Sequence, residues 1–196
     1  VSVSFLLADW YASQGEYGRA LRLFSTIRND YPKAAEAPQA AYEAARICLY
    51  QKDYDKGLTF LAELQRHERF QSGDLPYRVH LLAGDLQMAR GAVAEAAAAF
   101  GKAVAATVPH TRSWWIAKGS LAEAVLAQAI AAKAETDGQE LRKVQETAMA
   151  HFNEALRDGD DIPADIRDRL LFSRGSLQQE MKDWNGAYQS YYEIVS

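Results

Sequence analysis

One spacing of apolar and small residues recurs five times along the chain. An aromatic or apolar residue is followed three positions later by a small residue, and four positions after that by a bulky one. The five copies are Tyr17/Ala20/Phe24, Tyr54/Gly57/Leu61, Val93/Ala96/Phe100, Gln145/Ala148/Phe152 and Trp184/Ala187/Tyr191, of which the fourth begins with a polar residue. Positions three and four apart share one face of an α-helix, so each copy predicts a helix that another helix approaches closely at the small residue.

The prolines and the apolar periodicity predict another helix before each of these motif helices. Each unit then consists of a first helix and a second helix, and the second helix carries the motif. All five prolines lie between motifs, where a helix ends or begins. No segment alternates apolar and polar residues with a period of two, so no β-sheet is expected. The predicted helix pairs are 2–14 with 17–30, 38–51 with 54–67, 76–90 with 93–106, 111–135 with 139–158, and 164–182 with 184–195.

The first residues of successive motif copies are separated by 37, 39, 52 and 39 positions. The helix pairs therefore form a repeating array. Such a period is typical of helical-repeat proteins, in which each unit packs only against its neighbours. We predict an all-α domain of about five helix-turn-helix repeats over residues 1–196. The long interval predicts lengthened helices in the fourth repeat, projecting about 10 Å, with a turn at 136–138. Its apolar seam would be Leu141, Val144 and Ala148.

Composition narrows the function classes. The net charge of −4 argues against nucleic acid as the main partner, because phosphate binding favours a basic surface. No apolar run reaches the roughly 18–20 residues that span a bilayer, so no direct membrane insertion is expected. The lone Cys48 excludes an internal disulfide and fits a core position. The chain begins at Val1 and stops after an apolar helical face, so we expect it to be a piece of a longer protein.

Motifs for catalysis, cofactors and metals are absent from the sequence. The four histidines, at 67, 80, 110 and 151, are too scattered for a metal pair, and no HExxH occurs. The acidic run 158–161 resembles a calcium loop, but Ile162 and Pro163 follow it, so a solvated helix end is favoured. No phosphate loop, dinucleotide fingerprint or GxSxG elbow is present. We expect no enzyme activity, cofactor or metal, although chance carboxylate pairs stay open.

The first unit resembles the tetratricopeptide repeat (TPR) closely, above all in the segment GEYGRALRLFSTIRNDYP at 15–32. The matching residues are Leu7, Ala8, Tyr11, Gly15, Tyr17, Ala20, Phe24, Ile27 and Pro32. The second, third and fifth units match less fully, and the fourth matches through Ala148, Phe152 and Ala155. The segment AAYEAARICLYQKDYDKGL is also similar to repeats of bacterial envelope proteins of the Tol–Pal-associated and outer-membrane-assembly lipoprotein type. That similarity implies the bacterial cell envelope or periplasm, with the cytoplasm left open.

The TPR resemblance implies a right-handed superhelix whose first helices line a concave groove for a peptide or partner helix. The groove positions it implies are Phe5, Asp9, Ala12, Tyr42, Arg46, Leu49, Leu81, Asp85 and Met88. A carboxylate clamp would need Lys and Asn where Phe5 and Asp9 stand, so recognition of chaperone tails is not expected. For the pair Trp114–Trp115 two interpretations stay open: both rings pack in the core, or Trp114 is a binding anchor.

These observations favour a non-catalytic scaffold that binds another protein or a peptide. An accessory or regulatory repeat domain of a larger enzyme or signalling protein is the alternative. Helical-repeat RNA binding would need repeated basic groove positions, whereas Arg46 and Arg78 are offset by Asp9 and Asp85. The last predicted helix lacks the polar cap that terminal repeats usually carry, so a homodimer through it is also expected. Its apolar residues are Trp184, Tyr188, Tyr191, Tyr192 and Ile194.

Overall fold

The computed structural model describes residues 1–71, 73–132 and 138–195, and within these ranges the chain is helical with no strand. The helices are α1 (Ser2–Ser13), α2 (Tyr17–Asp30), α3 (Ala37–Tyr50), α4 (Tyr54–Leu64), α5 (Leu75–Ala89), α6 (Val93–Ala105), α7 (Arg112–Ala132), α8 (Gly138–Ala155), α9 (Ala164–Glu180) and α10 (Trp184–Val195). A short 3₁₀ helix, Leu156–Asp161, joins α8 to α9. The predicted all-α fold is confirmed.

Two compact units divide the chain after Gly91, at the turn of the predicted third helix pair. In the first unit α1 packs on α2, α2 on α3, α3 on α4, and α5 on both α3 and α4. In the second unit α6 packs on α7, α7 on α8, and α9 on α7, α8 and α10. Helices that are close in sequence are therefore the ones that pack together, which is the contact pattern of a helical-repeat protein.

The recurring spacing has the structural role that the sequence predicts. The small residues Ala20, Gly57, Ala96, Ala148 and Ala187 are all buried. At Gly57 the helices are so close that an added Cβ would lie 3.0 Å from Leu86 Cδ1 on α5 and 3.2 Å from Cys48 Cβ on α3. Contacts of this length leave no room for a larger side chain, so the small residue sets the helix separation.

The turns inside the helix pairs also repeat. A residue with positive φ lies two positions before the motif in four of the five copies: Gly15 (76°), Lys52 (61°), Gly91 (82°) and Lys182 (63°). The next amide then bonds back to the preceding helix, as Asp53 N does to Cys48 O at 2.9 Å and Asp183 N to Gln178 O at 2.8 Å. This is the Schellman arrangement, which satisfies carbonyl groups left unpaired at a helix end.

The lone cysteine belongs to the core of the first unit. Cys48 is fully buried beneath α4, next to Gly57. Burial raises the pKa of its thiol to about 11. The thiol is therefore protonated at neutral pH, and Cys48 acts as a small apolar core residue.

The fourth helix pair is longer than most of the others, as predicted. Its helices α7 and α8 have 21 and 18 residues, and Val144 and Ala148 of the seam pack in or against the core of the second unit. Leu141 is half-buried. The predicted end of α7 at 135 and the turn residues 136 and 137 lie outside the described residues.

Two helices, α4 and α8, end three residues before the predicted position, whereas the other described helix ends agree within about two residues. The helix α4 ends at Leu64 rather than at 67, because His67 bonds to the carbonyl of Pro32 at 3.1 Å and Phe70 folds back into the core. The helix α8 ends at Ala155, and the tighter 3₁₀ turn carries the chain to 161. In the described part of the chain, no helix combines the length and apolarity needed to cross a membrane.

Adding one methyl group at a close approach should destabilise the second unit. A Cβ at Gly175 in α9 would lie 2.5 Å from Tyr191 Cε1 in α10. Gly175→Ala should therefore lower the free energy of unfolding by about 1–3 kcal/mol, measured by urea unfolding followed by circular dichroism. The matched control is Gly101→Ala in α6, where nothing lies within 4 Å of the added Cβ. Gly101→Ala should raise the free energy of unfolding by about 0.5–1 kcal/mol. Equal losses of stability in the two variants would contradict the close packing of α10 on Gly175.

Replacing the lysine at a left-handed turn position should stabilise the first unit. Lys52 holds a φ of 61°, which costs a residue with a Cβ about 1–2 kcal/mol. Lys52→Gly should raise the melting temperature, since glycine adopts this conformation freely and its greater flexibility when unfolded offsets only part of the gain. The control is Lys33→Gly at an exposed turn position with ordinary φ, which should not stabilise. A lower melting temperature for Lys52→Gly would contradict the presence of backbone strain at Lys52.

Candidate functional site

The candidate site lies on the first helices α3 and α5, which contact each other within the first unit. All six predicted groove residues on these helices are half-buried: Tyr42, Arg46, Leu49, Leu81, Asp85 and Met88. Arg78 lies over the ring of Tyr42, with its guanidinium carbon 4.2 Å from the ring centroid. Burial raises the pKa of Tyr42, and the nearby Arg78 opposes this rise.

A polar network joins the two helices beside this stack. Glu43 is buried and accepts hydrogen bonds from Arg46 Nε at 2.7 Å and Gln39 Nε2 at 2.6 Å. Arg78 forms an ion pair with Glu43 at 3.8 Å and donates to Gln39 Oε1 at 3.1 Å. A buried carboxylate needs such partners. Two guanidinium groups therefore share one carboxylate within this network, while Asp74 at the start of α5 and Asp85 further along it add negative charge to the same pair of helices.

An open depression of about 460 Å³ adjoins the network. It is lined by Ala35, Pro38, Gln39, Arg69, Asp74, Leu75 and Arg78. Arg69 adds a further exposed guanidinium group at this end of α3 and α5. Guanidinium groups bind carboxylates with two parallel hydrogen bonds, so the depression can accept an acidic side chain of a partner.

The remaining predicted residues of the first unit have different surroundings. Phe5 contributes to the core, where its ring meets that of Phe24 edge-on at 5.3 Å. Asp9 is exposed and Ala12 half-buried on α1. Asp85 is half-buried on α5 and has an interaction partner. The structure thus brings together Tyr42, Arg46, Leu49, Leu81, Asp85 and Met88 on two adjacent helices.

Trp114 belongs to the second unit, and the structure favours the interpretation that both tryptophans pack in its core. Trp114 and Trp115 are only 7% and 6% exposed, so Trp114 is not an exposed anchor. They open α7, where the large rings fill the space against neighbouring helices. The Trp115 indole nitrogen donates to Asp158 Oδ2 at 2.8 Å, which satisfies its only polar atom.

Asp158, the first residue of the acidic run at 158–161, serves as a hydrogen-bond acceptor for α7 and the turn before it. Asp158 accepts from His110 Nδ1 at 2.6 Å as well as from Trp115. The bond from His110, followed by that from Trp115, lowers the pKa of this carboxyl. Among the described residues no group of three or more histidine, cysteine or acidic side chains is placed to hold a metal ion.

Several residues of the site were not identified from the sequence. Gln39, Glu43 and Arg69 were missed, and Arg78 was considered only as a possible RNA contact. Spacing offered a signal, because Gln39 and Arg78 both lie six residues before the small residue of their helix, Ala45 and Gly84 respectively. Phe172 in α9 belongs to the second unit and not to this site; it corresponds in register to Leu81 and is 60% exposed.

Comparison with known proteins identifies the fold. No family model matches the sequence, and no curated protein does. The crystal structure of MamA matches with a TM-score of 0.72 at 10% identity, covering 96% of this chain and 92% of MamA. Repeats of a Podospora anserina kinesin light chain, described as nearly identical and TPR-like, match with a TM-score of 0.69 at 17% identity, covering 99% and 92%.

A tetratricopeptide repeat protein from Parabacteroides merdae matches with a TM-score of 0.59 at 16% identity. That match covers 98% of this chain and 63% of the other protein. Identities this low carry information on fold rather than on partners. The chain has the fold of tetratricopeptide repeat proteins.

Proposed function

We propose that this chain is a non-catalytic protein-interaction scaffold that binds a peptide or partner helix on the face of α3 and α5. The observation that carries the proposal is the network of Gln39, Glu43, Arg46 and Arg78 beside the Tyr42 ring. The half-buried apolar side chains of Leu49, Leu81 and Met88 lie on the same two helices. In the TPR resemblance the positions of Tyr42, Arg46, Leu49, Leu81 and Met88 line the binding groove.

The network supports binding because it holds its donors in place before a partner arrives. Arg78 is restrained by the Tyr42 ring, by Gln39 and by Glu43, so little side-chain freedom remains to be lost on binding. Arginine and tyrosine are also the residues that most often carry binding energy at interfaces. The restrained guanidinium of Arg78 beside the half-buried Tyr42 ring therefore suits a residue that contributes binding energy.

The chemistry of the face defines the ligand class. Arg46, Arg69 and Arg78 favour an acidic side chain, while Leu81 and Met88 favour an apolar one. An amphipathic helix or an extended segment can present both kinds of group on one side. We therefore expect a partner segment in which Asp or Glu lies within a few residues of an apolar anchor.

The test uses a display library of random peptides selected on the immobilised chain. The best enriched peptide is then synthesised, and its affinity is measured by fluorescence anisotropy. We expect acidic and apolar residues in the peptide, and about tenfold or greater weakening of binding by Arg78→Ala and by Met88→Ala. Raising the salt concentration should weaken binding to the wild type more than to Arg78→Ala.

The control variant is Arg22→Ala, an exposed arginine on the second helix α2. It removes the same side chain from a different face, so it should leave the affinity unchanged. Melting temperatures of all variants separate loss of binding from loss of folding. Failure to enrich any peptide, or equal weakening by the Arg22 and Arg78 variants, would contradict the proposed site.

A further inference from the structure

The accessible part of α3 is a single stripe along the helix axis. From Ala37 to Leu49 every residue is buried except four half-buried ones: Gln39, Tyr42, Arg46 and Leu49. Their spacing of three, four and three residues keeps them within about 80° of arc around the helix, over about 15 Å of its length. A partner that contacts this part of α3 therefore contacts it through the stripe.

The neighbouring helix α5 carries a second stripe with the same spacing. Its residues are also half-buried: Arg78, Leu81, Asp85 and Met88. Arg78 donates a hydrogen bond to Gln39 Oε1 at 3.1 Å and lies over the Tyr42 ring, so the two stripes are side by side. Together they form four levels, each with one residue from each helix: Gln39/Arg78, Tyr42/Leu81, Arg46/Asp85 and Leu49/Met88.

The chemistry of the levels alternates along the helices and not across them. The first and third levels are polar on both helices, whereas the second and fourth are aromatic or apolar on both. A segment that crosses α3 and α5 at one level would meet one kind of side chain only. A partner segment that uses acidic and apolar groups together therefore lies along the two helices.

The distance between levels distinguishes a helical partner from an extended one. Successive levels are three or four residues apart, which is about 4.5–6 Å along an α-helix. A partner helix with residues at the same spacing has the same rise and matches all four levels. Residues on one side of an extended segment are about 6.6 Å apart, so four of them span about 20 Å and slip by a whole level over the stripe.

The charges at the first level favour an acidic group of the partner. Arg69 and Arg78 outnumber the one carboxylate, Asp74, among the residues that line the depression there. Glu43 is buried and already accepts hydrogen bonds from neighbouring side chains of α3. A guanidinium group binds a carboxylate strongly, so an acidic side chain suits this level. The third level carries both charge signs, on Arg46 and Asp85, and selects neither.

We propose that the partner segment is an α-helix that lies along α3 and α5. Its acidic residue contacts the first level, and apolar residues three and ten positions from the acidic residue contact the second and fourth levels. This inference rests on the proposed function and names the conformation, direction of contact and residue spacing of its ligand. Helices that pack at such a spacing interdigitate their side chains closely along the shared stripe.

A proline substitution in the bound peptide tests its conformation. The probe is the best enriched peptide of the display selection, with proline placed five positions from its acidic residue, on the side of a helix opposite the stripe. Binding should weaken tenfold or more, because proline inside a helix removes a hydrogen bond and clashes with the preceding turn. Alanine at the same position is the matched control and should leave the affinity unchanged. Circular dichroism of the mixture should show more helix than the sum of its components.

Double-mutant cycles between chain and peptide test the spacing. Removal of the acidic side chain should be coupled to Arg78→Ala, and removal of the apolar side chain ten positions away to Met88→Ala, each by about threefold or more. The crossed pair, acidic side chain with Met88→Ala, should be additive, because about 15 Å separate the two levels. Arg78→Gln is the second variant if the melting temperature shows that Arg78→Ala does not fold.

The outcomes separate this inference from the proposed function. A peptide that needs Arg78 and Met88 but tolerates proline would overturn the helical partner and leave the proposed function intact. Coupling of one peptide residue to both Arg78 and Met88 would overturn the spacing. If no peptide is enriched, or if the enriched peptide is insensitive to both variants, the proposed function fails and this inference fails with it.

Discussion

Close approach between helices at a small side chain is the constraint on which the structure depends. A Cβ added at Gly57 would lie 3.0 Å from Leu86 and 3.2 Å from Cys48, and one added at Gly175 would lie 2.5 Å from the ring of Tyr191, so neither site has room for a larger side chain. These contacts fix the distance and rotation of each helix relative to its neighbour. Every other position along the two helices then has defined surroundings, because α-helical geometry relates it to the small residue.

The face of α3 and α5 is a consequence of that constraint. Equivalent positions of successive first helices lie side by side, so Tyr42 and Leu81 belong to one row, and Gln39 and Arg78 to another. Close packing brings these rows near enough for Arg78 to reach Tyr42, Gln39 and Glu43.

The sequence predicts the helices well where the repeated motif governs the local structure. The bounds of α2 and α10 agree with the prediction, and the first helices agree within about two residues at their described ends. The end of α4 was missed because it depends on His67 reaching Pro32, 35 residues away. The groove row was predicted from register, but the Glu43 network depends on the spacing of α3 and α5. Periodicity cannot distinguish a buried Trp114 from an exposed one.

The most direct measurement of the central constraint is a double-mutant cycle between Gly175 and Tyr191. If the cost of Gly175→Ala arises from contact with the Tyr191 ring, the cost should disappear in a Tyr191→Ala background. The account predicts a coupling free energy of about 1 kcal/mol or more in urea unfolding. Additive effects of the two substitutions would show that the small residue is not needed for the approach of α9 and α10, and would contradict the account.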